Sequence, residues 1–261
     1  MQGSPPCWKT RPPRGKNGAA ISVSHFLRVP RLAKTPKPVS VCHMNNTSHA
    51  QQRANMVEGQ LRPHKVNNKP LLERFATLPR ERFVANEASA YLDQPATLAK
   101  GREAFSPMVA ARLVQALGVT GADNVLVVAA GTGYTAAVLA PLCTSVIAVE
   151  DDADLAKQAE TNFIATGIGN VKVVLDNPAH GYQSAAPYSA IIMDAPFAEL
   201  HGSLISQLAE GGRLAGVRIG TDGIPEATVF TKHGNTLIAE VLFETKGTVH
   251  PAFTVSEKFV F

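Results

Sequence analysis

Five short runs of consecutive aliphatic residues, separated by segments with helical spacing, constrain the fold of this chain more than any other feature. The runs are residues 124–130 (NVLVVAA), 145–150 (SVIAVE), 170–175 (NVKVVL), 188–195 (YSAIIMDA) and 213–219 (RLAGVRI). Continuous apolar runs of this length are typical of strands covered on both faces, and strands that alternate with helices form parallel sheets. The sequence therefore predicts an α/β protein with a parallel sheet.

The segments between these runs are predicted to be helical, and the last part of the chain has a different pattern. Helices are predicted over 134–142, 152–167 and 199–210. Residues 227–244 form two apolar runs around His233-Gly234-Asn235, which predicts an antiparallel hairpin at the edge of the sheet. A dinucleotide-binding half with only parallel strands would not end in this way.

Two further helices are predicted ahead of the sheet. Residues 69–78 place apolar side chains at helical spacing, and the proline that follows ends that helix. A loop-like stretch is expected over 85–103. Ser106 then supplies an N-cap and Pro107 the first position of a second helix, which Gly118 ends as a left-handed cap.

The formal net charge of +4 conceals a strongly basic N-terminal segment. Residues 1–57 contain nine Lys/Arg and no Asp/Glu, so the remainder has a balance of −5, and nucleic-acid binding is not expected of it. The first 43 residues are rich in Pro, Lys, Arg and Ser and are expected to be largely disordered. Three interpretations of this segment stay open: a stretch ahead of a true start at Met44, an organellar transit segment, or a phosphate-binding tail. The predicted organisation is a tail (1–55), a helical cap (56–120) and a main domain (121–261).

Several function classes find no support in the sequence. No apolar run reaches the roughly 18 residues of a membrane-spanning helix. The eight histidines have no HxH or HExxH spacing, so no metal site is expected, and no GxSxG motif indicates a serine hydrolase. Cys7, Cys42 and Cys143 form neither a disulfide framework nor a CxxC pair, which is typical of a reducing compartment and predicts a cytoplasmic protein. Cys143 is expected to be a core residue and not a nucleophile.

The turn after the first predicted strand is the strongest candidate for a ligand site. Gly131 and Gly133 lie where a buried strand meets a helix, so the backbone can approach a ligand with free amide groups. Glu150 ends the second strand, nineteen residues after Gly131, where a carboxylate usually accepts hydrogen bonds from ribose hydroxyls. Together these residues predict a nucleoside cofactor; the alternative is a tight turn beside a surface glutamate. The spacing Gly131-x-Gly133-x-x-Ala136 also satisfies the dinucleotide motif, so a nicotinamide or flavin cofactor stays open on this fragment alone.

Seven segments of the chain are more specific together than any one of them is alone. They are 56–63 (MVEGQLRP), 78–84 (LPRERFV), 107–109 (PMV), 125–140 (VLVVAAGTGYTAAVLA), 146–150 (VIAVE), 186–195 (APYSAIIMDA) and 208–217 (LAEGGRLAGV). In combination they resemble the protein-L-isoaspartate O-methyltransferase family, particularly its shorter bacterial members, from Met56 to Phe261. The resemblance implies a class I S-adenosylmethionine-dependent methyltransferase fold, Rossmann-like, with an antiparallel C-terminal hairpin and a helical N-terminal cap. It also implies methyl transfer from S-adenosyl-L-methionine to the carboxylate of L-isoaspartyl residues in damaged proteins, a protein-repair step.

The resemblance further implies roles for individual residues. The expected cofactor-binding residues are Ala129, Gly131, Thr132, Gly133, Glu150, Asp151 and Asp176, and the expected catalytic or substrate-site residues are Ser106 and Asp194. Four of these residues have structural alternatives: helix capping for Ser106, a charge at a helix N-terminus for Asp151, a turn in Asp-Asn-Pro for Asp176 and a loop cap for Asp194.

Three positions depart from the family pattern. Val127 stands where the family has an acidic residue that helps to hold the ammonium group of the cofactor, Ala129 where it has a glycine, and Phe105 where it has a hydroxyl residue. These departures keep two other functions open: a binding or regulatory protein that keeps the fold without catalysis, and a methyltransferase for a small molecule. The sequence determines neither the true acceptor nor the oligomeric state.

Overall fold

The computed structural model describes residues 48–254, which form a mixed sheet with helices. The strands are β1 (Ala96–Thr97), β2 (Glu103–Ala104), β3 (Asn124–Val128), β4 (Ser145–Glu150), β5 (Val171–Leu175), β6 (Tyr188–Met193), β7 (Leu208–Ile219), β8 (Pro225–His233) and β9 (Thr236–Glu244). The helices are α1 (His49–Met56), α2 (Lys69–Thr77), α3 (Pro107–Leu117), α4 (Tyr134–Leu139), α5 (Ala153–Ala165) and α6 (Gly202–Gln207). One seven-stranded sheet has the order β5-β4-β3-β6-β7-β8-β9, and β1 pairs with β2 as a separate hairpin.

The five continuous apolar runs form the parallel part of the large sheet, as predicted. β3 lies between β4 and β6, while β5 pairs with β4 and β7 with β6, all in parallel. The side chains of residues 125–128 of β3 enter two different apolar clusters alternately, one on each face of the sheet, so these four residues are buried on both faces. Because parallel strands share a direction, their carboxyl ends meet at one edge, where Glu150 ends β4 and Asp176 and Asp194 follow β5 and β6.

The antiparallel C-terminal hairpin is confirmed, whereas the helix expected over 199–210 is wrong over its first three and its last three residues. β8 pairs antiparallel with β7 and β9, and Gly234 turns between β8 and β9 with φ +59°. The helix α6 ends at Gln207, and β7 begins at Leu208. Leu208 is 1% exposed and pairs with Tyr188 of β6, so burial against the sheet overrides the helical spacing of this segment.

Helices α2 and α3 lie within the region predicted as an N-terminal cap (56–120), whereas α1 lies almost wholly in the predicted tail. Ser106 caps α3 by accepting a hydrogen bond from a backbone amide of its first turn, and Gly118 ends it with φ +62°, both as predicted. Arg74 of α2 donates from Nε and Nη2 to the carbonyl of Ala137 in α4, at 3.0 and 2.9 Å. Buried residues of the cap and of the sheet belong to one apolar cluster, so the cap is fixed directly above the turn that precedes α4.

The stretch expected to be a loop, 85–103, contains a short 3-10 turn at Glu87–Ser89 and the hairpin of β1 and β2. Strands of two residues are too short to produce a pattern of alternating hydrophobicity. Helix α1 begins at His49, so the last residues of the predicted tail are helical. Residues 1–47 lie outside the described part of the chain, as do Cys7, Cys42 and the predicted start at Met44.

Within residues 48–254, no helix combines the length and the apolar character needed to cross a membrane. In the same part of the chain, no three or more His, Cys, Asp and Glu side chains are grouped as metal ligands.

Candidate cofactor and acceptor site

The turn between β3 and α4 has the left-handed backbone that its glycines predict. Gly131 has φ +55° and Gly133 has φ +88°, and Ala129 adopts +57° although it carries a side chain. A Cβ at Gly133 would lie 2.5 Å from Cζ of Phe163 in α5, so packing opposes any side chain at this position. A Cβ at Gly131 would lie 2.8 Å from Cδ1 of Leu98 in the β1–β2 connection. The close approach that these glycines allow is made by side chains of the protein itself.

Glu150 is placed directly beside this turn. Its Oε2 accepts a hydrogen bond of 2.6 Å from the amide of Gly131, and its Oε1 accepts from the amides of Asp151 and Asp152 at 3.2 and 3.1 Å. The residue is 0% exposed. Burial raises the pKa of the Glu150 carboxyl above its ordinary value, and the positive charge of Arg102 offsets part of that rise.

Arg102, from the β1–β2 hairpin, covers the carboxylate of Glu150. Its Nη1 lies 3.0 Å from Oε1 and its Nη2 lies 3.3 Å from Oε2, which is a forked arginine–carboxylate pair. Nη2 also donates to the carbonyl of Ala129 at 3.3 Å, and Nη1 lies 3.4 Å from Oδ1 of Asp151. The hairpin therefore closes both halves of the candidate site, with Leu98 over Gly131 and Arg102 over Glu150.

The other predicted cofactor residues, Thr132, Asp151 and Asp176, differ in their contacts and in their exposure. The hydroxyl of Thr132 donates to the carbonyl of Phe83 at 2.6 Å, so it connects the turn to the cap. Asp151 is exposed at the rim. Asp176 is also exposed, and its Oδ1 accepts from the amide of Asn177 at 2.7 Å, the contact of a turn residue. Its role in cofactor binding stays a prediction.

Asp194 lies at the same edge, at the end of β6. Its Oδ1 accepts a 2.7 Å hydrogen bond from the hydroxyl of Thr135, and its amide donates to the carbonyl of Val128. Desolvation raises the pKa of Asp194 to about 7, against the opposing effects of the Thr135 hydroxyl and of Arg80. A carboxyl with such a pKa changes its charge near neutral pH, which is typical of functional sites.

Ser106, an expected catalytic residue, and its neighbour Phe105, a departure from the family pattern, have different surroundings. Ser106 is buried, and its Oγ accepts from the amide of Val109 at 3.4 Å, so the helix-capping interpretation is confirmed. A catalytic role for Ser106 stays a prediction. Phe105 is 6% exposed, and its carbonyl accepts a 2.6 Å hydrogen bond from Nη2 of Arg80.

Three cavities surround the hairpin. A cavity of about 10 Å³ lies at the strand tips between Arg102, Gly131, Tyr134 and Asp194. A larger one, about 470 Å³, lies between residues 100–105 of the hairpin and residues 247–251 near the C-terminus. A third, about 330 Å³, lies between residues 82–85, residues 98–99 of the hairpin and the start of α5. The two larger cavities have the size of small-molecule sites.

Sequence reasoning missed Leu98, Arg102 and Tyr134. Arg102 is 48 residues from Glu150, and a single arginine in a loop-like stretch carries no signal of its partner. The Tyr134 hydroxyl is buried and has no hydrogen-bond partner among the described residues, although Tyr134 lies next to the glycine turn that the sequence singled out.

Cys143 is buried, as predicted, and burial raises the pKa of its thiol to about 11, which opposes a nucleophilic role.

Comparison with known proteins identifies one family. The model of the family described as protein-L-isoaspartate(D-aspartate) O-methyltransferase matches residues 51–246. A protein-L-isoaspartate O-methyltransferase of Koribacter versatilis is 33% identical over 193 residues, which cover 73% of this chain and 86% of that protein. One of Herpetosiphon aurantiacus is 39% identical over 166 residues, or 63% of this chain and 74% of that protein.

Solved structures agree at the level of the fold. A protein-L-isoaspartate O-methyltransferase structure matches with a TM-score of 0.68 and 23% identity, covering 76% of this chain and 65% of that one. A structure from Plasmodium falciparum, described as a protein-L-isoaspartate O-methyltransferase in complex with S-adenosyl-L-homocysteine, matches with a TM-score of 0.63 and 20% identity. It covers 76% of this chain and 97% of that one.

Proposed function

Because the chain belongs to the protein-L-isoaspartate O-methyltransferase family, we propose that it transfers a methyl group from S-adenosyl-L-methionine to the free carboxylate of L-isoaspartyl residues in damaged proteins. The observation that carries the proposal is the placement of Glu150, at the end of β4 and 2.6 Å from the amide of the Gly131 turn. A carboxylate held at this point of a parallel sheet suits the two hydroxyls of a ribose.

The polar groups around this point fit S-adenosyl-L-methionine, although the hairpin occupies the space between them. Glu150 supplies an acceptor for the ribose, and Asp194 supplies an acid at the end of the neighbouring strand. Tyr134 also lines the small cavity, with the guanidinium of Arg80 packed over its ring at 4.4 Å from the centroid. A cavity of about 10 Å³ holds no nucleoside, so Leu98 and Arg102 must move outward when the cofactor binds.

In the proposed reaction Asp194 binds the ammonium group of the cofactor, which is the role of the acidic residue that the family has at position 127. Val127 is fully buried in β3 and offers no charge. Asp194 lies beside the glycine turn, lines the small cavity and is partly buried, so its carboxylate form would hold the cofactor's ammonium group. Thr135 keeps this carboxylate in place through its 2.7 Å hydrogen bond.

The chemistry needs little from the protein beyond positioning. When bound, the cofactor supplies a sulfonium methyl group, whose carbon forms a bond to a carboxylate oxygen while the C–S bond breaks and leaves its electron pair on sulfur. A carboxylate is already ionised at neutral pH, so no general base is required. The work of the chain's own residues is to orient both reactants and to exclude water from the strand tips.

The direct test uses labelled S-adenosyl-L-methionine and a synthetic peptide that contains one L-isoaspartyl residue. We expect a base-labile methyl ester on this peptide and none on the matched peptide with a normal aspartyl residue. Failure to form the ester when enzyme and peptide are present at comparable concentrations would refute the proposal.

A second function, cofactor binding without catalysis, is favoured by two observations. Arg102 and Leu98 fill the site, and Val127 and Phe105 lack the family's polar groups. Calorimetry separates the two functions. Binding of S-adenosyl-L-homocysteine with no ester formation supports the non-catalytic function, and ester formation excludes it.

The acceptors of the proposed reaction are proteins or peptides with isoaspartyl residues, and we place the reaction in the cytoplasm. The support for this location is chemical: the described cysteine, Cys143, is a free thiol, as is typical of a reducing compartment. Fractionation of cells followed by detection of the protein checks it.

A further inference from the structure

We propose that Arg102 binds the acceptor carboxylate in the methyl transfer reaction, after exchanging Glu150 for the acceptor. The inference rests on the proposed function and assigns the substrate-binding role to a residue outside the predicted site. Four observations support it: the lack of a hydroxyl at Phe105, the geometry of the Arg102 guanidinium, the saturation of Glu150, and the position of Arg102 between two cavities.

The acceptor carboxylate needs a hydrogen-bond donor, and position 105, where the family has a hydroxyl residue, does not provide a side-chain donor in this chain. An ionised carboxylate that leaves water for a partly closed site is destabilised unless hydrogen bonds replace those of water. The family's hydroxyl residue is replaced by Phe105, and the neighbouring Ser106 caps α3. The acceptor carboxylate must therefore be held by another group near the strand tips.

The guanidinium of Arg102 already binds a carboxylate in the required manner. It contacts both oxygens of Glu150, at 3.0 and 3.3 Å, and its side chain is 17% exposed. A planar fork of this kind matches carboxylates better than a lysine ammonium does. An isoaspartyl carboxylate has the same shape and charge as the carboxylate of Glu150.

Glu150 cannot serve Arg102 and a ribose together. Its two oxygens accept from the amides of Gly131, Asp151 and Asp152 and from two nitrogens of Arg102. A carboxylate has about four lone-pair positions, so these five contacts saturate it. Ribose hydroxyls can donate to Glu150 only after Arg102 leaves, and Arg102 is then free to bind another carboxylate.

Arg102 also lies where the acceptor must pass. It lines both the 10 Å³ cavity at the strand tips and the 470 Å³ cavity that Phe105 lines. Among the other basic residues that line the larger cavity, Lys100 is exposed at the rim and paired with Asp152 and Asp154, at 2.7 and 3.0 Å. Burial lowers the pKa of His250 to about 4, so its imidazole is neutral at physiological pH. Arg102 is the cation that remains at the entrance to the strand tips.

The exchange predicts that the acceptor binds only after the cofactor. Calorimetry with the wild-type protein and a short isoaspartyl peptide tests this, with S-adenosyl-L-homocysteine present or absent. Peptide binding is expected to be about tenfold or more tighter in its presence, in line with a charged hydrogen-bonded pair. The same peptide with its isoaspartyl carboxylate amidated is expected to show no such difference. Equal binding of the isoaspartyl peptide under both conditions would overturn the inference without any variant.

Variants separate an acceptor role from a structural one. Arg102→Gln is expected to raise KM for the isoaspartyl peptide by about tenfold or more, with S-adenosyl-L-homocysteine bound at least as tightly as by the wild type. Arg102→Lys keeps the charge and the fold of the hairpin and is expected to recover part of the loss. Lys100→Gln removes a charge from the same hairpin and cavity, so it is the matched control and should leave KM unchanged.

The results distinguish failure of this inference from failure of the proposed function. A wild-type protein that forms no methyl ester overturns the proposed function and the inference with it. A wild-type protein that forms the ester, together with Arg102 variants whose acceptor KM is unchanged, overturns the inference alone.

Discussion

Replacing Gly133 by alanine tests whether this glycine serves the fold or the ligand. Two costs add at this position. The φ of +88° is one that residues with a side chain rarely adopt, at about 1–2 kcal/mol. The new Cβ would also lie 2.5 Å from the ring of Phe163, and overpacking of this kind costs about 1–3 kcal/mol. The expected loss of unfolding free energy is about 2–5 kcal/mol, which lowers the urea midpoint by roughly 1–2 M.

Gly167 provides the matched control, because it has φ +67° and a Cβ added there would meet no atom within 4 Å. Gly167→Ala therefore carries the backbone cost alone, about 1–2 kcal/mol. In a Phe163→Ala background, most of the excess cost of Gly133→Ala over this control is expected to disappear, and the Cβ of Ala159, 3.1 Å from the added Cβ, accounts for the remainder. Urea unfolding followed by circular dichroism measures the wild type, the three single variants and the double variant. If Gly133→Ala is no more destabilising than Gly167→Ala, the packing explanation is refuted and the glycine is retained for the ligand.

Three further predictions concern single side chains. Glu150→Gln removes a charged acceptor, so calorimetry should show S-adenosyl-L-homocysteine binding weakened about tenfold or more, and unchanged affinity would contradict the ribose role. Burial raises the pKa of Asp194 to about 7, so cofactor affinity of the wild type should rise between about pH 6 and 8 and that of Asp194→Asn should not. The raised folded-state pKa also means that ionisation of Asp194 favours the unfolded state. The free energy of unfolding of the wild type, relative to that of Asp194→Asn, should therefore fall as the pH rises from about 4 to about 7. Parallel curves of unfolding free energy against pH for the two proteins would contradict the assignment. Burial raises the pKa of the Cys143 thiol to about 11, so at pH 8 this thiol should react with iodoacetamide far more slowly in the folded protein than in the urea-unfolded protein. Peptide mapping measures both rates, and equal rates would refute the burial of Cys143.

Much of the site could be predicted because its parts are close in sequence. Gly131 and Gly133 follow a buried strand, and Glu150 ends the next one, so parallel pairing of β3 with β4 brings them together. Asp194 was identified in the same way, from its place at the end of a strand. The registers of parallel strands align their carboxyl ends, so a residue's position along its own strand is enough to place it.

Local reasoning failed where another part of the chain decided the outcome. The helix expected over 199–210 ends at Gln207 because Leu208 is drawn into the sheet beside Tyr188. The glycines of the turn suggested an approaching ligand, but Leu98 and Phe163 occupy that space in the structure. In each case the deciding contact joins residues that no repeating pattern relates.

The amino-acid sequence by itself determined the parallel sheet, the hairpin after it, the ends of α3 and the place of Glu150. These features depend on hydrophobic periodicity, on helix caps and on turn residues, all of which act over a few neighbouring positions. Only the tertiary structure decided that Arg102, 48 residues from Glu150, would cover it and saturate its carboxylate. A pairing between distant side chains depends on how the β1–β2 hairpin folds over the strand tips, and the free energy of that packing comes from the whole chain.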